Sequence, residues 1–498
     1  MTDVTSPDGT IGVNAVIEER SNVVSGSRLY IDIYKNNTLI LTLRPAVKQN
    51  NTGNATEDWI DTFNTFDSKT VENGANYNDL VIKVTDPDNN KDMTVRIRVF
   101  NNCVMVKIEN IYGSQYYNSF IDVVKGNGGI STTETVIAPS NVSEFFEDTL
   151  TRDSLGNIPK NTDFPPFIVF PSQKMLITQA TLTVVPQVMR LETRADNNIG
   201  CTFQTMKHPV LVSSSETDWL AIVFYDKLND VYSILTDAIS TAVTVKTYNR
   251  TQERWLCTWD WYKTDIDDTK VRNLADIAVE MGLDGLIIDD GWQSGTSATQ
   301  VDTNKFPNWQ DTINYIKSKG LKVGIHVYFN DVISEGIDTC INTWKNWGID
   351  LIKIGYWTDY INDTGDPYDA TQKLRQLLDA LYNNGFTAER HECGIWCIPY
   401  EYQNVLADES YPEGAQGSYW NFIRHFMMKT IINHNIDLNE TIYEATGSPV
   451  TLSVDSGAIF AVMFATSLGE VSMDEWNSLD DSTKNALKKI FSLKEYVN

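Results

Sequence analysis

The sequence predicts a multidomain β plus α/β protein: an N-terminal antiparallel β-super-sandwich over residues 1–250 and a (β/α)8 TIM barrel over residues 251–498. Two observations predict this division. The first half alternates apolar and polar residues between turns rich in Asn, Gly and Asp, which is typical of antiparallel sheets. In the second half, an amphipathic helix, a glycine and a short apolar strand recur in that order, as parallel βα repeats require.

The strands of the first half are indicated by period-two alternation. It is clearest at residues 29–34, 95–99 and 104–108. Asn101 and Asn102 separate the last two of these segments and predict a hairpin turn. The sequence becomes polar near residues 247–253, and Trp255 then opens the first barrel strand. We therefore place the domain boundary near residue 250.

One repeat of the second half illustrates the barrel prediction. Four apolar residues recur at helical spacing and predict one buried stripe: Val271, Leu274, Ile277 and Met281. Gly282 follows, where a helix commonly ends in a left-handed residue. Residues 286–288 are then apolar without alternation, as in a strand covered on both faces. The same order returns around Gly320, Gly348 and Gly385.

These repeats place six of the eight barrel strands. We predict them at 255–261, 283–288, 321–327, 349–355, 386–391 and 405–408. Strands seven and eight are expected between residues 428 and 470, without exact positions.

Composition excludes several classes of partner. The formal net charge is −26 and no basic cluster is present, which argues against nucleic acid and anionic membranes. No apolar run approaches the roughly 18 residues that a membrane span needs. The six cysteines form no disulfide framework. The first residues lack a signal-peptide pattern, so we expect a cytoplasmic, a signal-trimmed secreted or periplasmic, or a virion-associated protein.

Acidic, basic or aromatic residues that could bind a substrate or take part in catalysis follow each predicted barrel strand. The carboxyl ends of all strands in a (β/α)8 barrel lie at the same end of the barrel. Aromatic faces stack on sugar rings, and paired carboxylates carry out glycoside hydrolysis. We therefore predict a carbohydrate site. Its expected sugar contacts are Asp260, Trp261, Asp289, Asp290, Trp292, His326, Lys353 and His391, and its further acids are Glu392, Asp408, Glu409 and Glu413. The competing interpretations are exposed turn acids at 289–290, a core His326 and a structural Glu392.

Several short motifs resemble known glycosidases. The segment Leu286-Ile-Ile-Asp-Asp-Gly-Trp-Gln-Ser294 resembles the second-strand motif of the α-galactosidase clan, which includes glycoside hydrolase family 36. The overall layout is more similar to glycoside hydrolase family 97, with matching motifs at residues 6–10, 164–167 and 177–182. This resemblance implies a sandwich before the barrel, an oligosaccharide or glycan substrate, and sugar hydroxyls bound by Asp289 and Asp290.

The resemblance also bears on mechanism. Retaining members of the clan read Lys-x-Asp on strand four, with the aspartate as nucleophile, whereas this chain reads Lys353-Ile-Gly355. The inverting α-glucosidase branch of family 97 has a similar Lys-x-Gly-Tyr. The resemblance to this branch implies that Glu392 activates a water molecule, and we expect Gly355 to leave room for that water. Inversion requires carboxyl groups about 6.5–9.5 Å apart.

The remaining roles leave alternatives open. Asp408 is the preferred general acid, and Glu413 and Glu409 are the alternatives. The resemblance implies a possible Ca²⁺ held by Glu392, Glu409 and Gln179, although an amide brings no charge to such a site. No organic cofactor is expected. A relocated nucleophile at Asp359 is a further possibility. The alternative function is a catalytically inactive carbohydrate-binding protein, for example a viral or phage glycan-attachment component.

Overall fold

A computed structural model of the chain describes most of the first 390 residues. The described ranges are 2–20, 24–49, 59–63, 65–86, 90–126, 128–141, 149–206, 210–227, 230–247, 255–390, 402–403 and 406–407.

The described part of the first half consists mainly of β-strands. In chain order they are β1 (Val4–Thr5), β2 (Ile11–Arg20), β3 (Val24–Lys35), β4 (Thr38–Lys48), β5 (Trp59–Ile60), β6 (Phe66–Asn73), β7 (Asn78–Asp86), β8 (Lys91–Val99), β9 (Cys103–Glu109), β10 (Asn118–Val124), β11 (Thr135–Asn141), β12 (Thr149–Ser154), β13 (Asp163–Phe164), β14 (Phe167–Phe170), β15 (Met175–Gln179), β16 (Gln187–Thr193), β17 (Ile199–Thr205) and β18 (Leu220–Phe224).

These strands form two antiparallel nine-stranded sheets. The first has the order β1-β2-β3-β4-β10-β17-β16-β13, with β5 also paired to β4, and the second has the order β12-β11-β14-β15-β18-β9-β8-β7-β6. Buried residues from both sheets form one apolar core, so the predicted antiparallel sandwich is present. The predicted hairpin is confirmed, because β8 and β9 pair antiparallel across Asn101 and Asn102.

The outer face of the second sheet is covered by helix α1 (Asp230–Ser240). Val231, Leu235 and Ile239 of this helix join a separate buried cluster with residues of the sheet. Their spacing places them on one side of the helix. Both faces of this sheet are therefore buried where α1 lies.

The strands described after residue 245 pair in parallel. Strands β20 (Trp255–Cys257), β21 (Gly285–Ile288), β22 (Lys322–Tyr328), β23 (Leu351–Gly355), β24 (Thr387–Arg390) and β26 (Leu406–Ala407) form one parallel sheet in that order, and β19 (Lys246–Thr247) pairs with β25 (Tyr402–Gln403). The helices between them are α2 (Trp259–Tyr262), α3 (Asp268–Met281), α4 (Trp309–Ser318), α5 (Phe329–Glu335), α6 (Ile337–Trp347), α7 (Trp357–Thr364) and α8 (Pro367–Asn383).

The predicted helix–glycine–strand order is confirmed in this region. Helix α3 ends at left-handed Gly282 and α6 ends at left-handed Gly348. One expectation at strand one was wrong, because β20 stops at Cys257. Asp260 and Trp261 therefore lie in the short helix α2, instead of at a strand end.

The sandwich contacts helix α8 of the parallel region through the loop that follows β15. Both carboxylate oxygens of the buried Asp218 accept hydrogen bonds from this loop, including one from the Val185 amide at 2.8 Å. The loop carbonyl oxygens of Leu182 and Thr183 accept in turn from Arg375 and Gln372 of α8. Asp218 thus fixes the loop on which α8 docks.

Several predictions fall outside the described residues: strands seven and eight, and the side chains of His391, Glu392, Asp408, Glu409 and Glu413. Among the described helices, none combines the length and apolar content that a membrane crossing requires.

Candidate active site

Near the carboxyl ends of the parallel strands, a layer of polar side chains lies on one face of the sheet. In the ladder, His326 of β22 pairs with Lys353 of β23, and Lys353 pairs with Glu389 of β24. Register partners on neighbouring strands lie on the same face of a sheet. Asp289, which follows β21, contacts Lys353 and completes the layer. All four side chains are buried.

Asp289 and Lys353 form an ion pair at the centre of this layer. Lys353 Nζ lies 2.8 Å from Asp289 Oδ2, and the two side chains are 0 % and 4 % exposed. The Cys257 thiol donates to the same oxygen at 3.1 Å. Thr258 accepts a hydrogen bond from the Asp289 amide at 2.8 Å and fixes its backbone. Because a buried charge is costly unless it is paired, each residue stabilises the ionised form of the other.

Asp290 lies nearer to solvent than its neighbour and is only half-buried. Its Oδ1 accepts from the Gly291 amide at 2.8 Å, and its Oδ2 accepts from the Tyr328 hydroxyl at 2.9 Å. Gly291 has φ of +105°, and a Cβ there would lie 2.5 Å from the Thr264 carbonyl oxygen. Glycine is therefore required between the aspartate pair and Trp292.

The space beside Gly355 is filled by His326. A Cβ built on Gly355 would lie 2.3 Å from His326 Nε2, far below van der Waals contact. The expectation that this glycine leaves room for water is therefore wrong for the direction in which a side chain would project. His326 itself is 1 % exposed, which favours the core interpretation of this histidine over a direct sugar contact.

Two tyrosines lie above His326. The rings of Tyr328 and Tyr356 stack with centroids 4.8 Å apart and planes 7° from parallel. The imidazole of His326 meets both rings at nearly right angles. Burial and the adjacent Asp290 carboxylate raise the pKa of Tyr328 well above its usual value. Its hydroxyl is therefore a proton donor to Asp290 throughout the physiological range.

Tyr356 adopts φ of +60° and ψ of +34°. A bulky residue rarely adopts this left-handed conformation, which costs about 1–3 kcal/mol. The turn ends β23 and starts α7, and it places the ring against Tyr328. Asp359, considered above as a relocated nucleophile, is exposed in the first turn of α7.

Trp292 is buried in the core, contrary to the predicted sugar contact. Its ring is 0 % exposed, stacks on Trp309 at 5.3 Å and meets Trp347 edge-on at 5.7 Å. Its indole N–H donates to the His326 carbonyl at 2.9 Å, just beyond the last register pair of β21 and β22. The indole thus continues the hydrogen bonding of the sheet where the strand has ended. Trp292 is a core residue here and does not present its face to a ligand.

Trp261 is also packed in the apolar core. It is 9 % exposed and belongs to the same apolar cluster as Trp292. The aromatic surfaces that the sequence offered for sugar stacking are therefore largely used for packing. Of Asp260, the structure describes the backbone in α2.

Two residues of the site were missed in the sequence. Glu389 lies in the segment Phe-Thr-Ala-Glu-Arg and is the only acidic residue of β24. In the parallel sheet, Glu389 is in register with Lys353. Tyr328 follows His326 by two residues, so the period of two would have placed both on the same face. The missing information was the register between strands.

Gln179 does not fit as a calcium ligand. Its Nε2 donates to the carbonyl oxygens of Thr181 and Val185, and its Oε1 accepts from the Gln187 amide at 2.8 Å. The side-chain oxygen is thus directed at the sandwich backbone. Within the described ranges, no three His, Cys, Asp or Glu side chains gather as a metal site. The other implied ligands, Glu392 and Glu409, lie outside those ranges.

Residues 247–410 match the sequence model of the glycoside hydrolase 97 family. This segment contains every described residue of the site. This segment of the chain is similar to glycoside hydrolase family 97.

Solved structures support the same relationship at the level of the fold. A family 97 enzyme from Pseudoalteromonas sp. strain K8, in complex with acarbose, superposes with a TM-score of 0.60 at 14 % identity, over 84 % of this chain and 70 % of that chain. A β-arabinopyranosidase gives 0.63 at 12 % identity, over 98 % and 85 %. A family 36 α-galactosidase from Geobacillus stearothermophilus gives 0.53 at 13 % identity, over 92 % and 74 %.

Curated proteins that match part of this chain include α-galactosidases. Human α-galactosidase A is 28 % identical over 137 residues, which are 23 % of this chain and 32 % of the relative. A probable α-galactosidase B of Aspergillus fumigatus is 32 % identical over 133 residues, which are 20 % and 30 % of the two chains. The chain thus spans about a third of the length of these relatives.

Proposed function

We propose that this protein is an exo-acting α-glycoside hydrolase that uses an inverting, water-attack mechanism. The observation that carries the proposal is the buried Asp289–Lys353 pair beside Asp290, at the barrel mouth and within the segment that matches family 97. We further propose that the parallel sheet closes as a complete (β/α)8 barrel, with strands seven and eight supplied by residues 428–470.

The described residues suit binding of a sugar ring. Asp290 can accept hydrogen bonds from sugar hydroxyls at the mouth, while Lys353 and Asp289 set the electrostatics beneath it. Pairing keeps both charges in place without water, and charged groups act more strongly in a site that excludes water. The α-galactosidase relatives and the acarbose complex make α-glucosides and α-galactosides the first substrates to test.

The chemistry itself is assigned to residues beyond β24. In the proposed mechanism, Glu392 takes a proton from the attacking water, and Asp408 gives one to the leaving-group oxygen, with Glu413 as the alternative acid. Gly355 has no side chain and cannot form a glycosyl-enzyme intermediate, so the proposal assigns the attack to a water molecule that Glu392 activates. Nothing in this proposal depends on calcium.

The test uses the anomer of the first product. Aryl α-glucoside and aryl α-galactoside are incubated with the protein and followed by proton NMR. Initial release of the β-anomer supports inversion, and initial release of the α-anomer contradicts it.

The second candidate is an inactive carbohydrate-binding protein, favoured by the His326 ring that fills the space beside Gly355. Glu392→Gln separates the two. An enzyme loses at least about a hundredfold in kcat, the size of a general-base effect. A binding protein shows no turnover before or after the change and keeps its affinity for the sugar.

A further inference from the structure

We propose that Tyr328 and Tyr356 form the aromatic wall on which the sugar ring packs, and that the contact between His326 and Gly355 positions this wall. The inference rests on the proposed function, because it names the residues that hold the sugar. It follows from the location of the aromatic rings at the carboxyl ends of β22 and β23.

Two aromatic rings are partly exposed at the strand ends, and two others are not. Trp292 and Trp261 are packed in the core, whereas Tyr328 and Tyr356 are half-buried at the strand ends. Tyr328 donates to Asp290, the more exposed acid of the pair. A sugar held by Asp290 therefore lies beside these rings. Aromatic rings combine a large apolar surface with a polar group, which suits the C–H face and the hydroxyls of a pyranose.

Tyr356 has a backbone conformation that is unusual for a tyrosine. Its left-handed φ of +60° would suit glycine better than tyrosine. A strained conformation persists where the surrounding structure or function requires the side chain. The stacked geometry with Tyr328, at 4.8 Å and 7°, shows what the conformation achieves. The left-handed backbone conformation thus places the Tyr356 ring beside that of Tyr328.

His326 supports the two tyrosine rings from below. His326 meets both tyrosine rings edge to face, at 5.2 and 5.9 Å, and its Nε2 lies where a Gly355 side chain would begin. A side chain on Gly355 would displace the imidazole, and the imidazole would displace the rings. His326 and Gly355 are therefore positioning residues, and neither is required to touch the sugar.

The binding experiment exploits the backbone of Tyr356. Tyr356→Gly removes the ring and suits a positive φ, so the turn is expected to fold. Affinities for methyl α-glucoside and methyl α-galactoside are measured by calorimetry. We expect Tyr356→Gly to weaken the better of the two by about tenfold, equivalent to the 1.4 kcal/mol of one modest stacking contact. Tyr356→Phe should stay within about threefold, since it keeps the ring.

The matched control is Tyr315→Ala. Tyr315 is a half-buried tyrosine on α4, bonded to Asp276, and its loss should leave sugar affinity unchanged. For the positioning residues, Gly355→Ala should raise KM more than it lowers kcat. His326→Ala in the Gly355→Ala background should recover part of the lost affinity, because it removes the clash.

The outcomes separate this inference from the function beneath it. If the unaltered protein hydrolyses an α-glycoside and Tyr356→Gly keeps both KM and affinity, the wall is overturned and the function stands. An unchanged KM in Gly355→Ala overturns the positioning role. If the unaltered protein neither binds nor cleaves either sugar, the proposed function is overturned together with this inference.

Discussion

Nε2 of His326 lies 2.3 Å from the point at which a Cβ of Gly355 would stand. The two residues belong to neighbouring parallel strands, and Gly355 is in register with Tyr328, two residues beyond the histidine. The imidazole therefore occupies the volume of a missing strand-four side chain. Packing therefore requires a residue without a side chain at position 355, in addition to any role of this glycine in the mechanism.

Gly355→Ala should destabilise the parallel-sheet region by about 2–3 kcal/mol, because an added methyl group forces the imidazole out of a packed site. With His326→Ala already present, the same substitution should cost less than about 1 kcal/mol. Urea unfolding of the four proteins in this cycle, followed by tryptophan fluorescence, gives both values. Equal costs in the two backgrounds would contradict the steric pairing.

Lys353→Met should destabilise the protein by about 3–5 kcal/mol, because it leaves the Asp289 carboxylate buried without its cation. Adding Asp289→Asn should recover most of this loss. The matched control is Lys317→Met, which breaks the exposed pair with Asp350 and should cost less than about 1 kcal/mol. Thermal and urea unfolding give the comparison, and similar losses for the two lysines would refute the buried-pair argument.

Tyr328→Phe should cost about 1–2 kcal/mol at pH 7, because Asp290 loses a hydrogen bond to a charged group. The pKa of Tyr328 is raised in the fold, so the folded protein keeps a proton that the unfolded chain releases above pH 10. This contribution is fully present below pH 10 and is lost as pH rises above it.

The stability difference between the native protein and Tyr328→Phe should therefore be constant from pH 7 to about 9 and shrink above about 10. Unfolding free energies across this range test the sign. A difference that grows with alkaline pH would mean that the tyrosinate is favoured in the fold.

Gln179→Glu should destabilise the sandwich by about 2 kcal/mol, because an oxygen would replace the Nε2 donor that faces two carbonyl oxygens. Restoring the carboxylate should not create a calcium response. Melting curves with excess calcium and with chelator check this. If calcium raised the melting temperature of Gln179→Glu and left that of the native protein unchanged, position 179 would be a metal ligand after all.

The helix–glycine–strand repeats could be predicted because their signals are local. Helix periodicity and the glycines at 282 and 348 depend on the residue and its immediate neighbours. The same holds for the hairpin at Asn101 and Asn102. Such elements are specified before any long-range contact forms.

The roles of single site residues could not be predicted in the same way. A tryptophan after a strand can face the mouth or pack behind the sheet, and only the positions of Trp309 and Trp347 decide that Trp292 packs. Glu389 was overlooked because its position level with Lys353 depends on the register between β23 and β24.

By itself, the sequence determined an antiparallel half, a parallel half and the strand ends at which polar residues gather, because period and turn chemistry act over a few neighbouring residues. The tertiary structure decided that Asp289 is neutralised by Lys353, that His326 replaces a side chain at Gly355, and that tyrosines instead of Trp292 line the strand ends. These outcomes depend on which side chains from distant segments fill the same volume, and that is fixed only when the strands are in register.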